Sequence, residues 1–540
     1  MRLFPRAAIL AALSLLALLV FAGSLGHGFT NWDDDMVVTK NVLIRRLDAG
    51  SLREMFTPTS IFVGNWAPVT ILSYTIDHAL WGLRPAGYHL TNLLLHAVTT
   101  GLLFLLLCPL LGRGDPDEGA LPAAIAAALF ALHPVQVESV AWVAERKNVL
   151  GMALLLAAFL AWRRATRGTL RVLSYAAFLL LLAASLLAKA QAVILPPLLV
   201  LHEWIERPRT GEGTFPLAKR LVLLLPAFAI AFWVGWVTVQ AQGGIGRLRP
   251  VGDLTGAVAT APVLLLGYVR DLLLPLNRSA ILQRTVFASP WHPASLVAWT
   301  LVAGWALGAI GARRARPHLA FFSLWFLGAL VPVLNFIPLQ VLAADRYQYW
   351  AAPGLFALAG LALRTAWTRL DRPRRNLVAA LGMAAITFFA ALTVARVAVW
   401  RDSVTLWTDA LRKTSEETVV RTNLGAALIK AGRPADALDH LRFIIRASPR
   451  SARLRVNLGV ALLKLGRLDD AIGTAREAAT LDRRSVEAWL LLGTALEARG
   501  HNAEAVNAFR RVLALEPNQP AARVHLRALL RAPGDAGHTP

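Results

Sequence analysis

The sequence predicts an all-α protein in two parts: a polytopic membrane domain of helices, followed by an α-solenoid of short helical repeats. Three observations carry this. Of 540 residues, 56% are hydrophobic and only 16% charged, where an ordinary soluble chain has about a quarter charged. The apolar residues stand in long blocks of the length that crosses a bilayer. Beyond Trp400 the composition changes to alternating charge and Ala/Leu, and the chain repeats at a 34-residue step. With a mean hydropathy of +0.52, disorder, a secreted disulfide scaffold and an ordinary cytosolic enzyme are excluded.

The net charge is +23, which on a soluble protein would point to nucleic acid. Here much of the excess sits in short loops flanking apolar segments, where Lys and Arg hold a cytoplasmic face and meet anionic lipid. No basic stretch interleaves with aromatics for base stacking, so nucleic acid is not an expected partner. The single Cys108 lies inside an apolar run and forms no intrachain disulfide.

The first apolar run, Ala7 to about Gly26, follows Arg2 and Arg6. Twenty helical residues rise about 30 Å, the hydrocarbon thickness. A cleaved signal peptide is the alternative, since Ala22-Gly23-Ser24 resembles a cleavage site; the length and the many later spans favour an anchor. Further candidate spans cover 87–111, 119–143, 148–162, 172–188, 190–204, 221–240, 254–275, 294–311, 318–337, 346–363 and 377–399. Arg163-Arg164 with Arg167 and Arg171, Arg313-Arg314 with Arg316, and the run Arg364 to Arg375 mark cytoplasmic loops. The loop around Asp345-Arg346 is then outside, as is the chain beyond residue 399. An inside N-terminus demands an odd number of spans, and the candidates number twelve. One must be re-entrant, horizontal or split, with 190–204 and 254–275 the two suspects.

The 34-residue step aligns Asn423-Leu424-Gly425 with Asn457-Leu458-Gly459 and Leu491-Leu492-Gly493. Gly432, Gly466 and Gly500 keep the same step, as do Ala437, Ala471 and Ala505. This is the tetratricopeptide pattern, in which small residues let two antiparallel helices approach closely. Boundaries fall at 1–400 for the membrane domain, with a long outer loop at 27–86, and at 401–530 for the repeats. The repeats comprise a half unit at 403–417, full units at 418–451, 452–485 and 486–519, and a cap to 530; a disordered tail is expected at 531–540. Three units form a groove that binds a peptide or packs on a neighbour, or else serve as a spacer.

Chemistry is sought where polar residues stand at one membrane face. Asp33, Asp34 and Asp35 follow the first span directly. They read as a solvated acidic turn or, beside a membrane entrance, as general base or metal ligand for a lipid-borne substrate. Arg146, Lys147, Lys189 and Arg346 lie at outer loop ends, where cations hold phosphate through charge-assisted bonds or simply anchor the interface. Tyr88, His89, Asn92 and His96 share one helical side, and Glu138, Trp142 and Glu145 share another. Intramembrane polar residues are costly and therefore paired or functional. Val69 to Trp81 has the spacing of a helix lying in the interface. No Cys/His metal spacing, P-loop, G-x-S-x-G or dinucleotide fingerprint stands in the chain.

Several stretches resemble the transmembrane-and-tetratricopeptide O-mannosyltransferases and their bacterial relatives. The matching pieces are Phe29-Thr30-Asn31-Trp32-Asp33-Asp34 with Asn41, Asn65-Trp66-Ala67-Pro68-Val69-Thr70, Gly87 to His96, Ala131 to Asn148, and Ala344-Asp345-Arg346-Tyr347. The resemblance runs from about residue 20 to 520 and is weak between 205 and 330. It implies a GT-C glycosyltransferase fold in which Asp33 and Asp34 form the catalytic centre. Asp35, Glu138, Glu145, His89 and Tyr347 would support it, and Arg146, Lys147, Lys189 and Arg346 would bind the donor phosphate. Relatives often have Lys-Pro or Lys-Glu where this chain has Lys189-Ala190, which weakens the match at Lys189. The implied donor is a polyprenyl-phosphate sugar, mannose or another hexose. The implied acceptor is a protein or glycan hydroxyl on the non-cytoplasmic face, recruited by the repeats. The implied location is a bacterial inner membrane.

Three functions stay open: an inverting GT-C transferase, a membrane-anchored repeat scaffold for protein–protein interaction, and a lipid-linked-sugar transporter. Charge gathered at one surface rather than mid-membrane favours the transferase. The sequence specifies no cofactor, and a divalent cation is compatible with the aspartates. The arginine clusters predict repeats on the non-cytoplasmic side. An alkaline phosphatase fused after Trp400 should therefore be active, and a fusion active only as a cytoplasmic reporter would reverse the topology.

Overall fold

The computed structural model describes residues 5–61, 64–112, 115–166, 170–206, 216–241, 253–337, 339, 341–414 and 417–531. The regular elements among them are helical, and the chain divides into two compact units, Met1–Asp402 and Ser403–Pro540.

The first unit contains α1 (Arg6–Phe21), α2 (Ala49–Met55), α3 (Pro68–Trp81), α4 (Pro85–Leu111), α5 (Pro116–Leu132), α6 (Val137–Ala141), α7 (Arg146–Ala165) and α8 (Val172–Ala188). It continues through α9 (Leu195–Leu201), α10 (Leu217–Ala241), α11 (Leu254–Leu273), α12 (Pro293–Ala312), α13 (Pro317–Leu330), α14 (Ala352–Arg369) and α15 (Arg372–Val399). Proline stands in the first turn of α3, α4, α5, α12, α13, α14 and α15. There its fixed φ suits the helix and its missing N–H leaves nothing unpaired.

Six helices among the described residues are long and apolar enough to cross a membrane: α1 with its 3-10 extension to Gly26, α4, α10, α11, α12 and α15. The chain is a multi-pass membrane protein. The expected span 119–143 is instead two helices, α5 and α6, bent by 52° at His133-Pro134. Pro134 has no N–H to continue the ladder and forces His133 out of the helical region. Of the two suspect segments, 254–275 forms the unbroken α11, while 190–204 is divided into a 3-10 turn (Ala190–Ile194), α9 and a π turn from His202. Pro196 and Pro197 stand in the first turn of α9, directly after the 3-10 turn. The expected span 346–363 opens as a 3-10 turn, Asp345–Trp350, before α14 begins.

Close backbone approaches and interhelical hydrogen bonds fix the core. A Cβ on Gly360 would enter the backbone of Pro122, and one on Gly354 would lie 2.7 Å from the Phe322 carbonyl. These two glycines seat α14 against α5 and α13. His96 of α4 hydrogen-bonds the Tyr349 hydroxyl (2.8 Å) and the Ala131 carbonyl (3.2 Å), the pairing its intramembrane position requires. In α3 the polar side faces inward, with Thr70, Tyr74 and Asp77 buried, while Ile76, Leu80 and Trp81 are exposed. That inversion suits a helix lying against lipid.

The second unit begins with a helix at Ser403–Leu411 and stacks three helix pairs: Glu417–Lys430 with Pro434–Ala447, Ala452–Lys464 with Leu468–Leu481, and Val486–Arg499 with Asn502–Leu515. Pro520–Arg531 follows as a last helix; the tail expected at 531–540 lies outside the described residues past Arg531. Gly432, Gly466 and Gly500 turn each pair at φ of 75°, 72° and 88°, a region where a Cβ costs about 1–2 kcal/mol. Gly466→Ala should therefore destabilise the chain by that order. Gly473→Ala, at a mid-helix position with open space around the Cβ, should raise stability by about 0.5–1 kcal/mol. Matched calorimetry of the two variants checks both signs.

Candidate active site

The chain leaves α1 through the 3-10 turn Ala22–Gly26 and makes a turn at residues 31–33 before a single π turn, Asp35–Thr39. Three successive aspartates on this bend meet three different surroundings. Asp34 is 1% exposed. Its Oδ2 accepts from the Thr30 backbone N–H (2.8 Å) and hydroxyl (2.9 Å), and its Oδ1 from the Ala144 N–H (2.8 Å). Burial pushes the Asp34 carboxyl up to about 7, against the pull of those donors. Its geometry is that of a clamp tying the loop to the turn before α7. Asp35 points outward to Lys40 (2.8 Å). Asp33 differs from both. Its half-buried carboxylate accepts no hydrogen bond and joins no ion pair among the described residues, and it lines a pocket of about 20 Å³ with Asn65, Thr70, Tyr74 and Lys147. Burial raises its pKa above the usual carboxylate range, with Lys147 and Arg346 opposing.

Beside Asp33 lies a buried charge cluster. Glu145 stands between α6 and α7, where Trp142 has left the helical conformation (ψ 119°). Its Oε1 meets Lys147 (3.1 Å) and Arg346 Nε (3.3 Å); its Oε2 meets Lys189 (3.2 Å) and accepts from Asn148 (3.0 Å). Burial by itself would raise Glu145, but the three cations outweigh it and hold the carboxyl down to about 2. Glu138 forms an ion pair with the Arg346 guanidinium and accepts from its backbone N–H (3.0 Å). Three cations thus face two carboxylates. Lys147 and Lys189 keep 16% and 15% of their side chains exposed, so this excess reaches the surface. Burial lowers Lys189 to about 8, helped by its cationic neighbours and opposed by Glu145.

The sequence grouped Arg146 with these cations, but the structure turns it inward. Its side chain is fully buried, paired with Asp77 (2.5 Å), bonded to Asn92 (2.8 Å) and the Tyr88 carbonyl (2.9 Å), and stacked over Tyr74. Residues 146 and 147 are adjacent on a helix, so their side chains point about 100° apart. His89 packs edge-on against His27, ring centroids 5.9 Å apart, rather than onto the carboxylates. Tyr347 lies beneath the Arg346 guanidinium, 5.2 Å from ring centroid to carbon.

Sequence reasoning missed the support behind Arg346. Arg278 bonds Asp345 (3.1 Å from Nε) and Asp271 (2.9 Å), fixing the turn on which Arg346 stands. Arg278 and Asp271 both come from the stretch of weak resemblance, and nothing in their spacing announced them. Thr30, the donor to Asp34, lies in the Phe29–Asp34 stretch and is legible there as a polar residue four positions before it. An apolar groove was also missed. It has a volume of about 320 Å³ and is lined by Val193, Ile194, Leu198, Leu324, Trp325 and Pro332. Trp325 donates to the Trp350 carbonyl (3.1 Å) and Gln191 to the Tyr347 carbonyl (3.3 Å). The groove therefore shares its walls with the segments that carry Lys189 and Arg346.

Two tetratricopeptide-repeat family models match residues 422–488 and 486–532. The first tetratricopeptide domain of Spaghetti (RPAP3), solved with an HSP90 peptide, is 29% identical over 22% of this chain and 96% of its own, with a TM-score of 0.21. Protein O-mannosyl-transferase TMTC3 of Mus musculus is 24% identical over 411 residues, 67% of this chain and 42% of its own length. The chain is thus similar at modest identity to TMTC-like transmembrane proteins and carries tetratricopeptide repeats. Protein O-mannosyl-transferase Tmtc1 of Drosophila melanogaster is 35% identical over 161 residues, 29% of this chain and 18% of its own; Tmtc2 of the same organism is 31% identical over 290, or 51% and 29%. The chain spans less than half the length of each of these relatives.

The two buried aspartates should separate by folding. In Asp34→Asn an amide NH₂ replaces one acceptor and faces a backbone N–H, which costs about 1–3 kcal/mol. Asp33→Asn disturbs no bond and should unfold within about 0.5 kcal/mol of wild type. Thermal unfolding of both variants in one detergent measures the difference.

Proposed function

We propose that the chain is a membrane glycosyltransferase of the GT-C type that moves a hexose, mannose being the first candidate, from a polyprenyl-phosphate carrier to a hydroxyl. The acceptor is Ser or Thr of an exported protein, and transfer takes place on the non-cytoplasmic face. The observation that carries the reading is Asp33: an unengaged carboxylate on a pocket that holds about one water-sized group, next to a surface-reaching cation excess. O-mannosyl-transferase names among the relatives support the same class.

The chemistry follows from these positions. The acceptor hydroxyl enters the pocket, its oxygen attacks the anomeric carbon, and Asp33 takes its proton. The bond from that carbon to the carrier phosphate breaks, and the phosphate leaves with the electron pair. Attack opposite the leaving group inverts the configuration. Lys147 and Lys189 meet the negative charge of the phosphate, and Arg346, held by Glu138, Glu145 and the Asp345–Arg278 pair, completes a fixed positive field. The apolar groove beside Lys189 accepts the isoprenoid chain. Asp34, its oxygens engaged by Thr30 and Ala144, holds Asp33 in place and is not the acceptor of the hydroxyl proton. Among the described residues no three His, Cys, Asp or Glu side chains converge as a metal site, and the aspartates diverge, so no residue set is assigned to a divalent cation. The repeats recruit the acceptor.

The deciding experiment offers purified protein a panel of polyprenyl-phosphate sugars with an acceptor peptide. Asp33→Asn should bind donor normally and transfer at least about a hundredfold more slowly, the usual worth of a positioned base. Transfer at near wild-type rate by this variant, or a product of retained configuration, rejects the mechanism.

The pH profile supplies a second measurement. A base with a raised pKa is protonated earlier as pH falls, so kcat should decline on the acid side above the ordinary carboxylate range. Lys189 loses its charge above about 8, so donor KM should rise there. In Lys189→Gln, KM should be high at all pH and this alkaline rise should vanish.

A further inference from the structure

The first unit has a second cation-lined cavity at the end of the helices remote from Asp33. α7 spans twenty residues, a rise of about 30 Å. Its first turn carries Lys147, and its last turn carries Arg163 and Arg164. α4 runs the same distance and more, with Tyr88 and Asn92 near one end and Cys108 near the other. At the Cys108 end a cavity of about 450 Å³ is lined by Arg6, Arg163, Arg164 and Arg171, with Leu105 and Leu160 among its walls.

The carboxylates nearby leave Arg164 and Arg171 unneutralised. Asp117 pairs with Arg6 (3.1 Å), and Glu118 pairs with Arg364 (3.2 Å), away from the cavity. Asp115 accepts from the Asp117 N–H at the start of α5. Arg164 and Arg171, both exposed, join no ion pair among the described residues. Cations this close repel one another unless an anion lies between them.

The walls identify the anion. Leu105 is 41% exposed, and Val172 and Leu173, directly after Arg171, are 69% and 87% exposed. Arginine forks therefore sit beside side chains that face hydrocarbon, at the depth where a phosphate headgroup meets its acyl chains. A soluble anion would gain nothing from the apolar part, and a choline or ethanolamine headgroup would bring a further cation. The arginine-rich loops put this end in the cytoplasm. We infer that this cavity binds the phosphate of an anionic glycerophospholipid of the cytoplasmic leaflet, with Arg164 and Arg171 as its principal ligands.

The full chain is reconstituted in vesicles of phosphatidylcholine with phosphatidylglycerol, extracted in mild detergent, and its retained lipid identified by native mass spectrometry. Phosphatidylglycerol should be retained over phosphatidylcholine by about tenfold or more, given two arginines at a membrane surface. Arg164→Gln with Arg171→Gln should abolish that preference, while Arg374→Gln, at an exposed arginine outside the cavity, should keep it. If the double variant does not fold, Arg171→Gln alone, at the exposed start of α8, should give an intermediate loss. Equal retention of the two lipids by wild type, or an unchanged preference in the Arg171 variant, overturns the site. Displacement of the bound lipid by inorganic phosphate would mark a soluble-anion site and overturns it equally.

Discussion

Glu145 stands where the chain turns into α7, with 2% of its side chain exposed, and three cations, two of them from distant segments, close on its two oxygens. Lys147 comes from its own helix, Lys189 from the end of α8, and Arg346 from the turn before α14. An ionised carboxylate so deeply buried is tolerable only when paired, and removing one member of such a set costs about 3–5 kcal/mol. The cations are equally dependent, since without Glu145 three like charges would share one small volume. This mutual need draws α7, α8 and the 345–350 turn to a common point. It also leaves the cluster one positive charge in excess, the property that the proposed phosphate-linked donor would require.

Around that hub the structure uses its charges in two ways. Some are sealed: Arg146 on Asp77, Asp34 on three donors, Arg278 on Asp345 and Asp271. These give position, because a buried ion pair with satisfied hydrogen bonds has one geometry. Others keep an open side: Lys147, Lys189 and Asp33. Preorganisation of this kind places fixed charge where it is needed without reorganisation during reaction. Among the described residues the repeat unit has no such cluster, being built from glycine-turned helix pairs.

Much of this was legible in the sequence. Bilayer-length apolar runs fixed most helices, since a polar backbone in lipid must satisfy itself within the helix. The 34-residue step located the repeats from Gly432, Gly466 and Gly500, which recur because each turn needs a positive φ. The candidate site was legible as a set of residue types at one face, Asp33, Asp34, Lys147, Lys189 and Arg346 among them. The break at His133-Pro134 was written in the proline, yet hydropathy read straight through it.

Tertiary structure alone decided which members of that set are available. Asp33, Asp34 and Asp35 are chemically identical in sequence, and only the donors brought by Thr30 and Ala144 seal the middle one. Arg146 and Lys147 are neighbours in the chain, but one helical step sends the first to Asp77 and the second to Glu145. The Arg278–Asp345 support joins segments 67 residues apart, and the apolar groove joins α9 to α13. Sequence determines what a residue is able to do; which partner reaches it depends on packing between distant segments, and that pairing decides whether a charge is structural or free to act.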